Sequence, residues 1–272
     1  MKYLKSLKTY FPFATNTFQR LISYKANVLI FIIGEFLMLA VTYYLWDAIY
    51  RSSQDSSING FTFNEMIIYL FISFLTSLII TVDISHDISS EVRDGSIAIN
   101  LIRPISYETR MLFQGLGTIF YYFIFIFIGA FLVTTTIFYN FFGYISIINI
   151  LLYFVSIILG ILLNFYFNYI FGLLSFKITN MWGLSQITGA IIQLLSGIMI
   201  PIAFFPLWTQ PVFKFFPFSS MIYTPTMIYL GKLTNPEILK ALILQITWII
   251  ILVIISKIMW KKLIKTLTIL GG

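Results

Sequence analysis

The chain has 272 residues, of which 59% are hydrophobic and 10% charged, with a mean hydropathy of +0.94. Soluble domains carry roughly 25% charged residues, so this composition excludes a soluble enzyme, a nucleic-acid binder and a disordered chain. It predicts an all-α polytopic membrane protein in which the whole chain, 1–272, is one membrane domain.

Other totals narrow the chemistry. There is no Cys and a single His, His86, so disulfides, thiolate metal sites and histidine clusters are excluded. The net charge of +7 comes without any basic run dense enough to neutralise several phosphates, so no nucleic-acid partner is expected.

In chain order, residues 1–25 interleave Lys2, Lys5, Lys8, Arg20 and Lys25 with Tyr10, Phe11, Phe13, Phe18, Leu21 and Ile22. That pattern predicts an interfacial amphipathic helix lying on the lipid surface, interrupted at Pro12. Six spans follow, at about 26–48, 64–83, 111–138, 146–175, 183–200 and 238–260, each near the ~20 apolar residues a crossing needs. The first starts too late for a cleavable leader and stays as a helix. The fourth is long enough to be tilted or broken near Gly160.

Glu35 stands near the middle of the first span. A carboxylate there costs about 2.5–3.5 kcal/mol on insertion scales and needs a partner or a cavity. It is a candidate for a cargo path, with a structural hydrogen bond as the alternative. Asn164 and Asn168 sit one turn apart in span four, and Gln186 and Gln193 lie in span five. These five residues are the candidate substrate pathway, and helix-packing glue is the competing reading. The fourfold spacing of Ser185, Gly189, Gln193 and Gly197 suits a close helix contact.

Two connections are unusual. In the segment 84–110 and its approach, Asp83, Asp87, Glu91 and Asp94 fall on one helical face beside an apolar stripe of Ile84, Ile88 and Val92. Gly95 is placed to end that helix, Ser96 to cap the next, and Arg103-Pro104 to stop it. The segment 201–236 holds six of the eight prolines, with stretches too apolar for a free loop and too broken for a span. It predicts short helices re-entering the outer leaflet between spans five and six.

Lysine and arginine fix the expected orientation. All of them except Arg51, Lys214, Lys232 and Lys240 fall on the side of the termini, which predicts that both termini are cytoplasmic. The Ile, Phe, Asn and Lys bias suits an AT-rich bacterial genome, so the expected location is a bacterial cell membrane.

The run Glu91-Val92-Arg93-Asp94-Gly95-Ser96, followed by Leu101-Ile102-Arg103-Pro104-Ile105-Ser106, resembles the cytoplasmic motif of type-2 ATP-binding-cassette (ABC) exporter permeases. Ser196-Gly197, Pro201, Pro206, Pro217-Phe218, Pro225 and Gly231 resemble the outer-loop pattern of the same family. The resemblance covers nearly the whole chain and is nearest to a drug- or viologen-exporter-like subgroup. It implies a permease that dimerises, with itself or with a related permease, and docks two separate ATPase subunits. The coupling segment would carry Asp83, Asp87, Glu91, Arg93, Asp94, Gly95, Ser96, Arg103 and Pro104. No phosphate loop occurs in this chain, so no cofactor is expected on it; ATP and Mg would sit on the partner, and the chain alone would not be an enzyme. Complementary basic groups on the ATPase would meet the acidic face. The competing functions are an ion-coupled secondary transporter using Glu35 and a lipid-modifying enzyme holding Mg²⁺ on the 83–94 carboxylates.

Overall fold

The computed structural model describes residues 7–53, 55–144, 146–178 and 181–265, with side chains of 25–28 and 31 left aside. The first six residues of the expected interfacial arm and the tail past 265 lie outside it. Thirteen α-helices are described, together with one small antiparallel hairpin, β1 (Ser57–Ile58) paired with β2 (Phe61–Thr62).

Residues 7–8 are helical and 9–10 form a turn, so the arm is interrupted just ahead of Pro12; helix α1 (Phe11–Ser23) then starts with Pro12 in its first turn, where a missing N–H costs nothing. Its Tyr10–Ala14–Thr17 side is buried against α6 (Tyr107–Tyr122), where Gly117 lets the backbones meet: a Cβ there would collide with the Ala14 carbonyl. Phe18 then reaches Tyr121 and Phe125 further along the same path. The arm is therefore a docked helix running beside α6, with only its outer face free.

Helix α2 (Lys25–Ser52) leads to the hairpin. Thr62 and Glu65 form a capping box that starts α3 (Phe63–Ile80). Lys232 fastens this end: its ammonium lies 2.7 Å from Glu65, donates to the Gly60 carbonyl and sits over the Phe61 ring. After a three-residue break come α4 (Ile84–Arg93) and α5 (Ile97–Ile102), then α6, which continues through a π-helical turn at Phe123–Phe127 into α7 (Ile128–Phe142). Helix α8 (Ile147–Leu173) runs unbroken through Gly160, so of the two expectations, a tilt or a break, the break does not occur. That glycine is a contact point instead, since a Cβ would press on Ile80 and the Met221 carbonyl.

The expected span at 183–200 is α9 (Trp182–Leu195), 14 residues or about 21 Å long, shorter than a bilayer core. The prolines then divide the chain into a 3₁₀ turn (Ile202–Phe204), α10 (Gln210–Phe215), α11 (Pro217–Met221) and α12 (Tyr223–Tyr229), before α13 (Asn235–Leu263). Among the described residues five stretches are long and apolar enough to cross a membrane: 32–52, 63–93, 107–142, 147–176 and 235–263.

The broken segment is sustained by protein. Residues 219–230 are all buried, and side chains from the long helices take up its backbone carbonyls. Tyr69 donates to Gly197, Ser73 to Ile198 at 3.0 Å, Trp248 to Phe215 at 2.8 Å, and Gln245 to Ser220 at 2.6 Å. Irregular backbone at membrane depth is tolerated only with such partners. The main apolar core lies between α3, α8 and α12, and a second, smaller core of Ile84, Ile88, Ile97, Met111 and Leu173 lies under the α4–α6 turn.

Candidate functional site

Two places carry the polar chemistry. The first is a cleft of about 460 Å³ bounded by α2, the end of α3, α8 and α9. It is lined by Glu35, Asn164, Asn168, Gln186 and Gln193, so all five candidate pathway residues share one cavity. Asn164 is buried and its amide donates to the Val82 carbonyl at 3.2 Å, closing the open end left by the break after α3. Asn168 donates in turn to the Asn164 side chain at 2.9 Å. Glu35 is half-buried and makes no hydrogen bond or ion pair among the described residues.

Sequence reasoning missed part of this lining. Ser77, Thr81, Ser185, Thr188 and Ser196 add hydroxyls, and the Ser196 Oγ is buried without a partner. Asp83, expected only in the coupling segment, also lines the cleft, where it accepts from Ser85 at 2.6 Å. Its place at the end of a span was the available signal. Glu35 and Asp83 give the cleft two carboxylates, and among the described residues no Lys, Arg or His lines it. Among the described residues no helix packs at the Gly189 position of the Ser185–Gly189–Gln193 stripe. A Cβ on Gly189 would meet nothing within 4 Å, because that side of α9 faces the cleft.

The second place is the turn from α4 to α6. The acidic face expected to point outward is largely turned in. Glu91 accepts two hydrogen bonds from Arg110, at 2.7 and 2.8 Å, and a third from the Tyr107 hydroxyl at 3.0 Å. Asp87 accepts from Gln114 at 3.0 Å. The Arg110 side chain is 5% exposed and also lies 4.8 Å above the Tyr107 ring. The apolar stripe on α4 decides this rotation: Ile84 and Ile88 enter the second core, and the neighbouring carboxylates must follow and find partners. Arg110 was legible only as one more positive charge. Among the described residues no group of three His, Asp or Glu is placed to hold a metal ion.

At the tip, Gly95 has φ +76°, the left-handed conformation that separates α4 from α5. Asp94 accepts from the Ser96 N–H at 2.9 Å, and Ser96, through side chain and backbone, holds its carboxyl below the usual carboxylate range. What the tip offers to solvent is Arg93, Asp94, Arg103 and Pro104 around Ile99 and Ile102, the last 81% exposed. His86 is exposed beside the Asp83 cap and carries no evident chemistry.

Long apolar helices, a broken segment supported from within and a polar cleft between helices define a multi-pass transport protein. A family model described as ABC-2 family transporter protein matches residues 36–271, and the chain belongs to that family. It is thus an ABC-2 type permease, the membrane component of an ABC transporter and not an enzyme by itself. No curated protein matches the chain.

Proposed function

We propose that this permease is half of an ATP-driven exporter of cationic amphiphiles, as in the drug- or viologen-exporter-like subgroup, working as a dimer on two separate ATPase subunits in a bacterial cell membrane. The observation that carries the cargo reading is the cleft: two carboxylates, four side-chain amides and, among the described residues, no basic group in about 460 Å³. Field lines from Glu35 and Asp83 concentrate in a low-dielectric cavity and raise the local concentration of a cation. The dimer reading is supported by α2 and α9. Both carry long runs of exposed apolar side chains, and a second copy against them would close the open flank of the cleft.

With both termini cytoplasmic, the orientation that the lysine and arginine count supports, the α4–α5 tip faces the cytosol and α9 makes the fifth crossing together with the buried segment after it. The ATPase then meets Ile99 and Ile102 as apolar anchors rimmed by Arg93, Arg103 and Asp94, two cations against one carboxylate. That surface calls for an apolar groove with an acidic rim, the opposite sign to the partner expected from the carboxylate count. ATP binding would close the ATPase pair, draw the two turns together and reshape the cleft. Neither a secondary transporter nor a lipid-modifying enzyme is favoured: Asp87 and Glu91 are already committed to Gln114, Arg110 and Tyr107.

The test uses two ions of nearly equal shape and opposite charge. Inverted vesicles carrying the permease with its ATPase should accumulate tetraphenylphosphonium but not tetraphenylborate on adding ATP. Glu35→Gln should lower the phosphonium uptake while leaving assembly intact. Equal uptake of both ions, or unaltered kinetics in a well-folded Glu35→Gln protein, removes the carboxylate from the cargo path.

A further inference from the structure

A second groove, of about 360 Å³, lies at the opposite side of the α4–α6 turn, between α13, α8 and the turn itself. Its polar groups are Lys257 and Lys261 on α13, with Asn100, Ser106 and Glu108 across from them. The lysines are four residues apart, so both ammonium groups project from one side of the helix. Both are exposed, and neither makes a hydrogen bond or ion pair among the described residues. Glu108 is different: it already accepts from the Tyr166 hydroxyl at 2.9 Å. The groove therefore offers two unneutralised cations against one engaged carboxylate, a balance that favours an anion of single charge.

The same face of α13 continues into the bilayer as Ile250, Ile254 and Ile258, which are 50–55% exposed. Positions 250, 254, 257, 258 and 261 form one helical stripe, apolar toward the membrane interior and basic at its end. A soluble phosphate ester would use only the basic end; a lipid would use the whole stripe. We propose that this groove binds the phosphodiester headgroup of an anionic inner-leaflet lipid, with its acyl chains along the isoleucines. Lysines at the membrane surface each contribute about 1 kcal/mol toward anionic lipid.

The site touches the coupling turn directly. Trp260 stacks on Tyr107 with ring centroids 5.3 Å apart, and the Tyr107 hydroxyl donates to Glu91. A headgroup seated here therefore steadies the wall that also holds the Glu91–Arg110 pair, and lipid occupancy tunes the orientation of the turn.

The experiment titrates the full-length purified permease in detergent with phosphatidylglycerol, phosphatidylcholine of the same acyl chains, and sn-glycerol 3-phosphate, following bound lipid by native mass spectrometry. Phosphatidylglycerol should bind in preference to the other two. The double variant Lys257→Ala, Lys261→Ala should bind it about thirtyfold more weakly, the product of two surface charges. Lys262→Ala, which lies outside the groove, and the double Lys→Arg variant should bind as the unmodified protein does. Undiminished phosphatidylglycerol binding by the double alanine variant overturns the proposal. Lysine-dependent binding of glycerol 3-phosphate as tight as that of lipid would make the ligand a soluble phosphate ester and overturn the lipid assignment. Loss of ATPase pull-down in the alanine variant with lipid binding unchanged would make the groove a protein contact, and would equally overturn it.

Discussion

The α4–α6 turn and the α2–α9 wall of the cleft differ in how their polar groups are held. In the turn, Glu91, Arg110, Tyr107, Asp87 and Gln114 hydrogen-bond one another above a small apolar core, so α4 and α6 move as one body. In the wall, Glu35 makes no hydrogen bond or ion pair among the described residues, and a Cβ on Gly189 would meet nothing within 4 Å. Helix α9 buries only Thr188 within the 182–195 stretch. A transporter needs both: a stiff part that carries force from the motor, and a wall that rearranges around cargo without breaking a core.

The largest effect should come from cutting the clamp. Removing one partner of a buried ion pair leaves the other charge stranded, at a cost of about 3–5 kcal/mol. Arg110→Ala and Glu91→Lys should each lower the thermal unfolding midpoint and open residues 94–106 to protease. Replacing both partners, Arg110→Met with Glu91→Leu, should restore much of the stability because no charge is left unpaired. A protease pattern like that of the unmodified protein in Arg110→Ala would mean that α4 and α6 are not clamped.

A smaller effect is expected at the tip. Gly95→Val puts a β-branched residue at φ +76°, which costs about 1–3 kcal/mol of local strain. Membrane insertion should be normal and ATPase pull-down should fall. Normal pull-down would show that the geometry of the turn does not matter for docking. Ile102→Asp should also weaken pull-down, at no cost in stability, since that side chain is already in solvent.

The wall should respond least in stability and most in function. The Cβ of Gly189→Leu meets no described atom within 4 Å, and replacing a helical glycine adds up to about 0.8 kcal/mol of stability. Transport should nevertheless fall, because the new side chain enters the cleft or the flank that a second copy would cover. Transport at the unmodified level would place the cargo path elsewhere and remove the contrast between wall and turn.

Much of this was legible from composition and spacing. A chain with 59% hydrophobic residues, 10% charged ones and apolar runs of about 20 residues is a helical membrane protein, because lipid leaves backbone groups no partner outside a helix or a closed barrel and barrel strands are shorter and alternating. The length of the apolar runs located the long helices, and Pro and Gly located the breaks at 94–96 and 201–236, since those residues act on the local backbone alone. Family membership was equally readable from the two motifs. The rotation of α4 was not. Asp87, Glu91 and Asp94 share one face in sequence, yet two point inward and one outward. The choice depends on Arg110 and Gln114, 19 and 27 residues away from their partners. Gly160, Gly117 and Gly189 look alike in the sequence; one seats a buried loop, one a docked helix, and one faces open space. Hydropathy describes how each segment partitions between water and lipid, one segment at a time. Which carboxylate is neutralised and which is left facing a cavity is decided between segments, where burial makes every polar group depend on the neighbour the fold brings to it.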